Sequence, residues 1–296
     1  MQITESKQVV SRETDSGKSL EAVNNHAKQL AEHALGKLAA ALEGGKSEAL
    51  VNYLAVMGRF HRYSWNNCLL IALQRPGASH VAGFHSWRKL GRHVRKGTKG
   101  IAILAPMICK KRTQDAESED EQTRIFGFRT AYVFDVADTE GAALPEFATV
   151  SGDPQHYVGR LAEFIAANGI TLEYSDRIAP AKGVSRGGTI ILLPGMSPAE
   201  TMSVLAHECA HEFLHKGARR VETTHSIRET EAEAVAFVVC HAIGLEAGTA
   251  ASDYIQLWRG DMATLAESLQ LIQATAVQIL TAIGASQSGL RPTENI

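Results

Sequence analysis

The chain has 296 residues, 45% hydrophobic and 21% charged, a composition that excludes an intrinsically disordered or low-complexity protein. That length holds one large domain or two ordinary ones. MQITESKQVV has no basic segment followed by an apolar run, and no apolar stretch approaches the roughly 18 residues of a membrane span, so a cytoplasmic protein with no membrane contact is expected.

The formal net charge of −2 hides a division. Between Met57 and Arg112 lie twelve Lys and Arg and no Asp or Glu, while the remainder carries 18 basic against 32 acidic residues. Such a split points to one half that binds a polyanion and another with a different task. Cys68, Cys109, Cys209 and Cys240 fall outside metal-binding spacings and read as buried thiols.

Residues 1–17 are polar and read as a flexible start. From Lys18 to Glu43 the apolar positions Leu20, Val23, Ala27, Leu30, Ala34 and Leu38 keep a helical period, which Gly44-Gly45 stops. A second helix runs from Ser47 to about Phe60, and a third follows Ser64 as N-cap to Gln74, before Pro76. VAGFHSWRKLG, KGIAILAPMICKK and FGFRTAYVFDV then read as strands, with the acidic TQDAESEDEQT as a hairpin loop between the last two. These elements make a domain over residues 18–145, with a linker at 146–154. A second domain, 155–285, starts with a helix to Asn168. The strands ITLEYS and GGTIILL follow, joined by a Gly-rich turn. Helices come next over Ser197–Lys216, Ser226 to about Ile243, and twice more between Ser252 and Ile283, leaving a flexible tail at 286–296. The expected class is α+β: a helical DNA-binding domain with a small antiparallel sheet, then a mostly helical second domain.

His207-Glu208-Cys209-Ala210-His211 spells HExxH inside a strong helical signal. Residues four apart share a helix face, so both imidazoles can reach one ion, and Glu208, one position round, can take a proton from a water that the ion polarises. His215, two turns beyond His207, lies about 12 Å along the axis and cannot share that ion; it reads as a cap or a backbone partner. RETEAEAVAF supplies the third ligand. Glu229 and Glu233 share a face while Glu231 points elsewhere, so Glu229 is taken as ligand and Glu233 as the carboxylate that bonds a ligating imidazole, with the reverse as the alternative. Two His and one Glu suit Zn²⁺ best, and Mn²⁺ or another divalent ion fits the same donors. His225 and Tyr254 are candidate oxyanion donors.

In the basic half, cations interleave with Phe60, Tyr63, Trp65, Phe84 and Trp87. Cations neutralise phosphates and aromatic faces stack unpaired bases, so single-stranded DNA is the expected partner. Candidate contacts are Arg62, Trp65, Trp87, Arg88, Lys89, Arg92, Arg95, Lys96 and Lys99. Phe84 reads as core, Trp65 leans the same way, and GRHVRKGTKG reads as a basic hairpin presenting Arg95, Lys96 and Lys99.

YSWNNCLLIALQRP, GFHSWRKLGRHVRKGTKGIAILAPM and YVFDVADTEG resemble the amino-terminal domain of ArdC-type antirestriction proteins. AHECAHEFLH with RETEAEAVAF is similar to their zincin-like metallopeptidase domain. The resemblance covers about Lys18 to Ile283. It implies a plasmid-borne protein that binds single-stranded DNA and protects incoming conjugative DNA from host restriction. It also implies a gluzincin-like peptidase fold with His207, His211 and Glu229 as ligands and Glu208 as base. The expected substrate is an unidentified protein met near the incoming DNA, with the host restriction system as one source. KGARRVETTHS is shorter than the matching segment of many relatives. Two other readings stand beside this one: a DNA-shielding protein with a structural metal, and a regulatory peptidase of the anti-repressor kind.

Overall fold

The computed structural model describes residues 13–111, 122–142, 154–245, 257 and 261–285. The fold is α+β. Helix α1 (Glu13–Glu43) begins five residues ahead of the expected start and ends where Gly45 takes φ 74°, a conformation that costs other residues a steric penalty. Helix α2 (Ser47–Arg59) follows, then α3 (Trp65–Gln74), whose first turn is capped by the Ser64 hydroxyl accepting the Asn67 N–H.

VAGFHSWRKLG is a strand for three residues only, β1 (Val81–Gly83), and then turns into α4 (Phe84–Lys89). Trp87 accounts for the change. The helical turn buries its ring completely and lets the indole N–H donate to the Phe134 carbonyl at 2.9 Å. Strands β2 (Arg92–Val94), β3 (Ile101–Lys111), β4 (Gln122–Asp135) and β5 (Thr139–Gly141) complete the half. β1, β4 and β3 form an antiparallel sheet in that order, and β2 pairs with β5. GRHVRKGTKG is therefore no hairpin of its own: its strand pairs with residues 139–141, and Arg95–Gly100 form the loop that leads to β3. The acidic insert lies largely outside the described residues, as does the 146–154 linker apart from Pro154.

The exposed edge of β3 is covered by side chains that imitate a strand. The Asn67 amide exchanges two hydrogen bonds with the backbone of Leu104, at 2.9 and 2.8 Å. The Gln74 amide does the same with Ala102, at 2.8 and 2.9 Å. Alternate residues of an edge strand present N–H and C=O outward, and a separation of seven residues, about two turns, puts both amides on one face of α3. At these two residues the edge is already satisfied and is not open to a foreign strand.

The second half contains α5 (Pro154–Ala167), β6 (Thr171–Tyr174), β7 (Gly183–Ser185), β8 (Thr189–Leu192), α6 (Pro198–Leu214), α7 (Gly217–Glu222), α8 (His225–Ala242) and α9 (Met262–Ala282). The sheet order is β6-β8-β7. The two expected strands pair in parallel, and the unforeseen β7 lies antiparallel to β8 at the edge. Helix α6 starts with a reciprocal cap between Ser197 and Glu200. Cys68, Cys209 and Cys240 are buried thiols, while the Cys109 side chain lies outside the described residues. Among the described residues no helix is long and apolar enough to cross a membrane.

One hydrophobic core runs through both halves, because α2 packs on α8. Gly58 permits that approach: a Cβ there would lie 3.0 Å from the Val238 carbonyl and 3.2 Å from the His241 ring. Gly58→Val is expected to destabilise the fold by about 2–3 kcal/mol through overpacking. Urea unfolding followed by circular dichroism checks this, and wild type and variant should each unfold in one transition because the core is shared.

Candidate metal centre and basic face

Helices α6 and α8 pack together and bring their polar stripes face to face. His207 Nε2 lies 3.1 Å from His211 Nε2, 3.4 Å separates it from Glu229 Oε2, and His211 Nε2 stands 3.5 Å from Glu229 Oε1. Ligand atoms about 2.0–2.1 Å from a tetrahedral ion sit roughly 3.3–3.4 Å from one another, so this triangle fits one divalent cation. All three ligand atoms lie within 4.8 Å of each other. Glu233 Oε2 stands 3.4 Å from His207 Nδ1, on the side of the ring away from the triangle.

The electrostatics match that donor set. Burial lowers the affinity of His207 for a proton, but its bonds to Glu229 and Glu233 outweigh this and raise its pKa to about 9. The same bonds, with those to His211, hold Glu229 well below the usual carboxylate range. Glu208 is buried, and burial pushes its pKa up against the pull of His207 and His211. Its carboxyl lies against β7, and a Cβ at Gly183 would come within 2.7 Å of Oε1, so glycine is required there. One turn further along α6, the buried Glu212 accepts bonds from the Ser185 hydroxyl at 2.5 Å and from the Gly187 and Gly188 N–H groups at 2.8 Å each. Helix α6 thus fixes the edge strand that walls the cleft. The cleft has a volume of about 240 Å³, with Arg220 and Arg228 on its rim.

His215 stands at the C-cap of α6, its N–H donating to the His211 carbonyl, while its imidazole bonds side chains rather than a backbone group. Its Nδ1 lies 2.9 Å from His211 Nδ1, and its Nε2 lies 3.0 Å from Glu231 Oε2. Glu231 is completely buried and also meets Arg219 at 2.5 Å and the Ser268 hydroxyl at 2.7 Å. Burial favours its neutral form, yet these three partners hold its pKa down. If His211 Nε2 faces an ion, its Nδ1 carries the proton and donates to His215, which then donates from Nε2 to Glu231. The chain of bonds selects the tautomer that exposes a lone pair to the metal. His225 is 79% exposed, with Nδ1 3.2 Å from Glu229 Oε1, and Tyr254 lies outside the described residues.

The basic face differs from the expectation in particular residues. Arg62, Arg88, Lys89, Lys96 and Lys99 are exposed. Arg92 is half-buried, with its guanidinium bonded to Thr139 and Ala142, and Arg95 donates to the Ala137 carbonyl. Trp87 is core and cannot stack on a base, and Trp65 packs half-buried against the core. Phe84, read as core, is 45% exposed. Phe128 and Tyr132 on β4 are 47% and 56% exposed, while Ala131 and Val133 between and beside them are buried. That alternation in FRTAYVF was available as a signal of an outward aromatic face.

Residues 28–134 match the family model for the N-terminal domain of anti-restriction factor ArdC. The metal-free crystal structure of antirestriction ArdC from plasmid R388 has this fold over 86% of the chain and 97% of its own, with TM-score 0.54 at 18% identity. The Mn(II)-bound structure of that protein gives TM-score 0.52 at 19% identity over the same shares. An uncharacterized protein of Bacillus anthracis is 22% identical over 301 residues, 82% of this chain and 49% of the relative, so the chain spans about half that relative's length. The fold is that of an α+β protein with a candidate metal centre in its second half. Residues 28–134 therefore match the ArdC N-terminal domain, and the chain as a whole shares the fold of R388 ArdC.

Two outcomes are expected. Because His207 holds a proton up to pH about 9, Zn²⁺ uptake at pH 7.5 releases about one proton, and affinity rises with pH by up to about tenfold per unit until it levels above 9. Titration calorimetry in buffers of different ionisation enthalpy measures both. For the metal-free fold the sign is opposite. The raised His207 pKa contributes stability that is complete below pH 6.5 and lost as pH rises through about 9. Second, Glu231→Gln should weaken Zn²⁺ binding by about 10- to 100-fold, read by competition with a chromophoric chelator.

Proposed function

We propose that this protein is an antirestriction metallopeptidase: it binds single-stranded DNA through its N-terminal domain and hydrolyses a peptide bond at the HExxH centre, protecting DNA that enters by conjugation. The observation that carries this reading is the triangle of His207, His211 and Glu229, with Glu208 held beside it against β7. His207, His211 and Glu229 would hold the ion, and Glu233 would orient His207 from behind. Two imidazoles and a carboxylate suit Zn²⁺, and Mn²⁺ accepts the same donors, in keeping with the Mn(II)-bound structure of R388 ArdC. When bound, the ion supplies Lewis-acid polarisation and lowers the pKa of water.

The chain's own groups supply the rest. Glu208 takes the proton of the attacking water and returns it to the leaving amine; its raised pKa makes it a better base than an exposed carboxylate. Strand β7 ends its sheet, so an extended peptide can pair with that edge and lay its scissile bond across the cleft. The cleft takes an extended or unfolded segment more readily than a folded surface, and a protein of the host restriction system met at the incoming strand is the substrate class that fits. For the DNA, the exposed Phe84, Phe128 and Tyr132 supply stacking faces beside Arg88, Lys89, Lys96 and Lys99.

Glu208→Gln is expected to keep its metal, measured by elemental analysis, and to lose at least about a hundredfold in cleavage of a quenched fluorescent peptide library. Cleavage at the wild-type rate would sink the mechanism. Antirestriction that survives in this variant would mean that the protein shields DNA rather than cutting a partner.

A further inference from the structure

A cavity larger than the cleft at the candidate metal centre lies elsewhere among the described residues. It lies in the N-terminal half, between α1, the start of α3 and the sheet, with a volume of about 660 Å³. That is within the ~300–1,000 Å³ of pockets that take a small organic ligand. Small residues leave the space open: Ala27, Ala31, Ala82, Gly83 and Ala105 stand where larger side chains would close the core. The walls are apolar, with Tyr63 and Phe128 supplying aromatic surface.

Three amides reach this cavity, and two are already engaged. Asn67 is spent on the Leu104 backbone, and Asn24 Oδ1 accepts the Phe128 N–H at 2.7 Å. The side-chain amide of Asn66, half-buried on the cavity wall, has no hydrogen-bond partner among the described residues. Arg62 and Lys28 line the same space, and no acidic side chain does so among the described residues. Lys28 shares only a solvent-exposed ion pair with Glu32, at 3.7 Å, which competes weakly with a phosphate.

We infer that this cavity is a nucleobase pocket, which takes one unstacked base of a bound single strand. The inference rests on the reading of this domain as a single-strand binder. A base is flat and apolar on its faces, with donors and acceptors only on its edge. It would lie between Phe128 and the alanine wall, present its edge to the free amide of Asn66, and leave its phosphate near Arg62 and Lys28. An amide can donate and accept at once, so it can satisfy a base edge with two bonds. Stacking on the outer sheet face tolerates any base, whereas an inserted base with an edge-reading amide gives the protein a preferred register on the strand.

The test uses the full-length chain with ¹³C-labelled alanine methyls, titrated with a short mixed-sequence oligodeoxynucleotide and with its abasic counterpart of equal charge. The expected result is that the natural strand shifts the buried methyls of Ala27, Ala82 and Ala105, and that the abasic strand leaves them in place. Asn66→Ala should weaken binding of the natural strand by about five- to tenfold and binding of the abasic strand not at all. Natural-strand binding with unmoved cavity methyls, or an equal loss on both strands in Asn66→Ala, overturns the pocket while leaving the DNA reading intact. Failure of the natural strand to bind at any salt concentration overturns the DNA reading and the pocket with it.

Discussion

A single carboxylate with no solvent exposure ties the second half together. Glu231 on α8 meets His215 at the end of α6, Arg219 in α7 and Ser268 in α9, so four helices converge on one charge. An unpaired charge at that depth would cost several kcal/mol, and three directed partners offset the cost only when all four helices are in place. The same constraint sets the metal centre, because His215 passes the bond on to His211. A charge placed for packing therefore also orients His211, a candidate metal ligand.

Helix α6 sends the polar residues of HECAHEFLH in four directions. His207 and His211 face Glu229, Glu208 lies against β7, Glu212 clamps the β7–β8 turn, and His215 reaches Glu231. The faces of one helix thus place the imidazole pair, the buried Glu208 carboxyl, the cleft wall and the anchor. This accounts for a helix with so many ionisable groups standing inside an apolar core: each is matched to a partner on another element.

The N-terminal half solves a different problem with neutral groups. Its sheet has three strands, and the amides of Asn67 and Gln74 satisfy the edge of β3 at Ala102 and Leu104 without adding a strand. Of the two consecutive asparagines in YSWNNC, one is consumed by this duty and the other faces the cavity. Because α2 packs on α8 and the core is continuous, the aromatic sheet face and the metal centre belong to one packed body rather than to two units on a tether.

Patterns that are local in the chain were legible in it. The HExxH spacing, the Glu229/Glu233 pair, the Ser64 and Ser197 caps and the division of charge all follow from helical geometry or from counting. The α+β class and the length and order of the main helices follow from periodicity in the same way. Partners brought from far along the chain were not legible. Nothing near Trp87 announces Phe134, nothing near His215 announces Glu231, and nothing near Gly183 announces Glu208. The reason is physical. A helix or strand repeats its own faces every few residues, so sequence reveals which side chains share a face. Which other element that face meets, and so whether a tryptophan stacks on DNA or fills a core, is decided only when the elements pack.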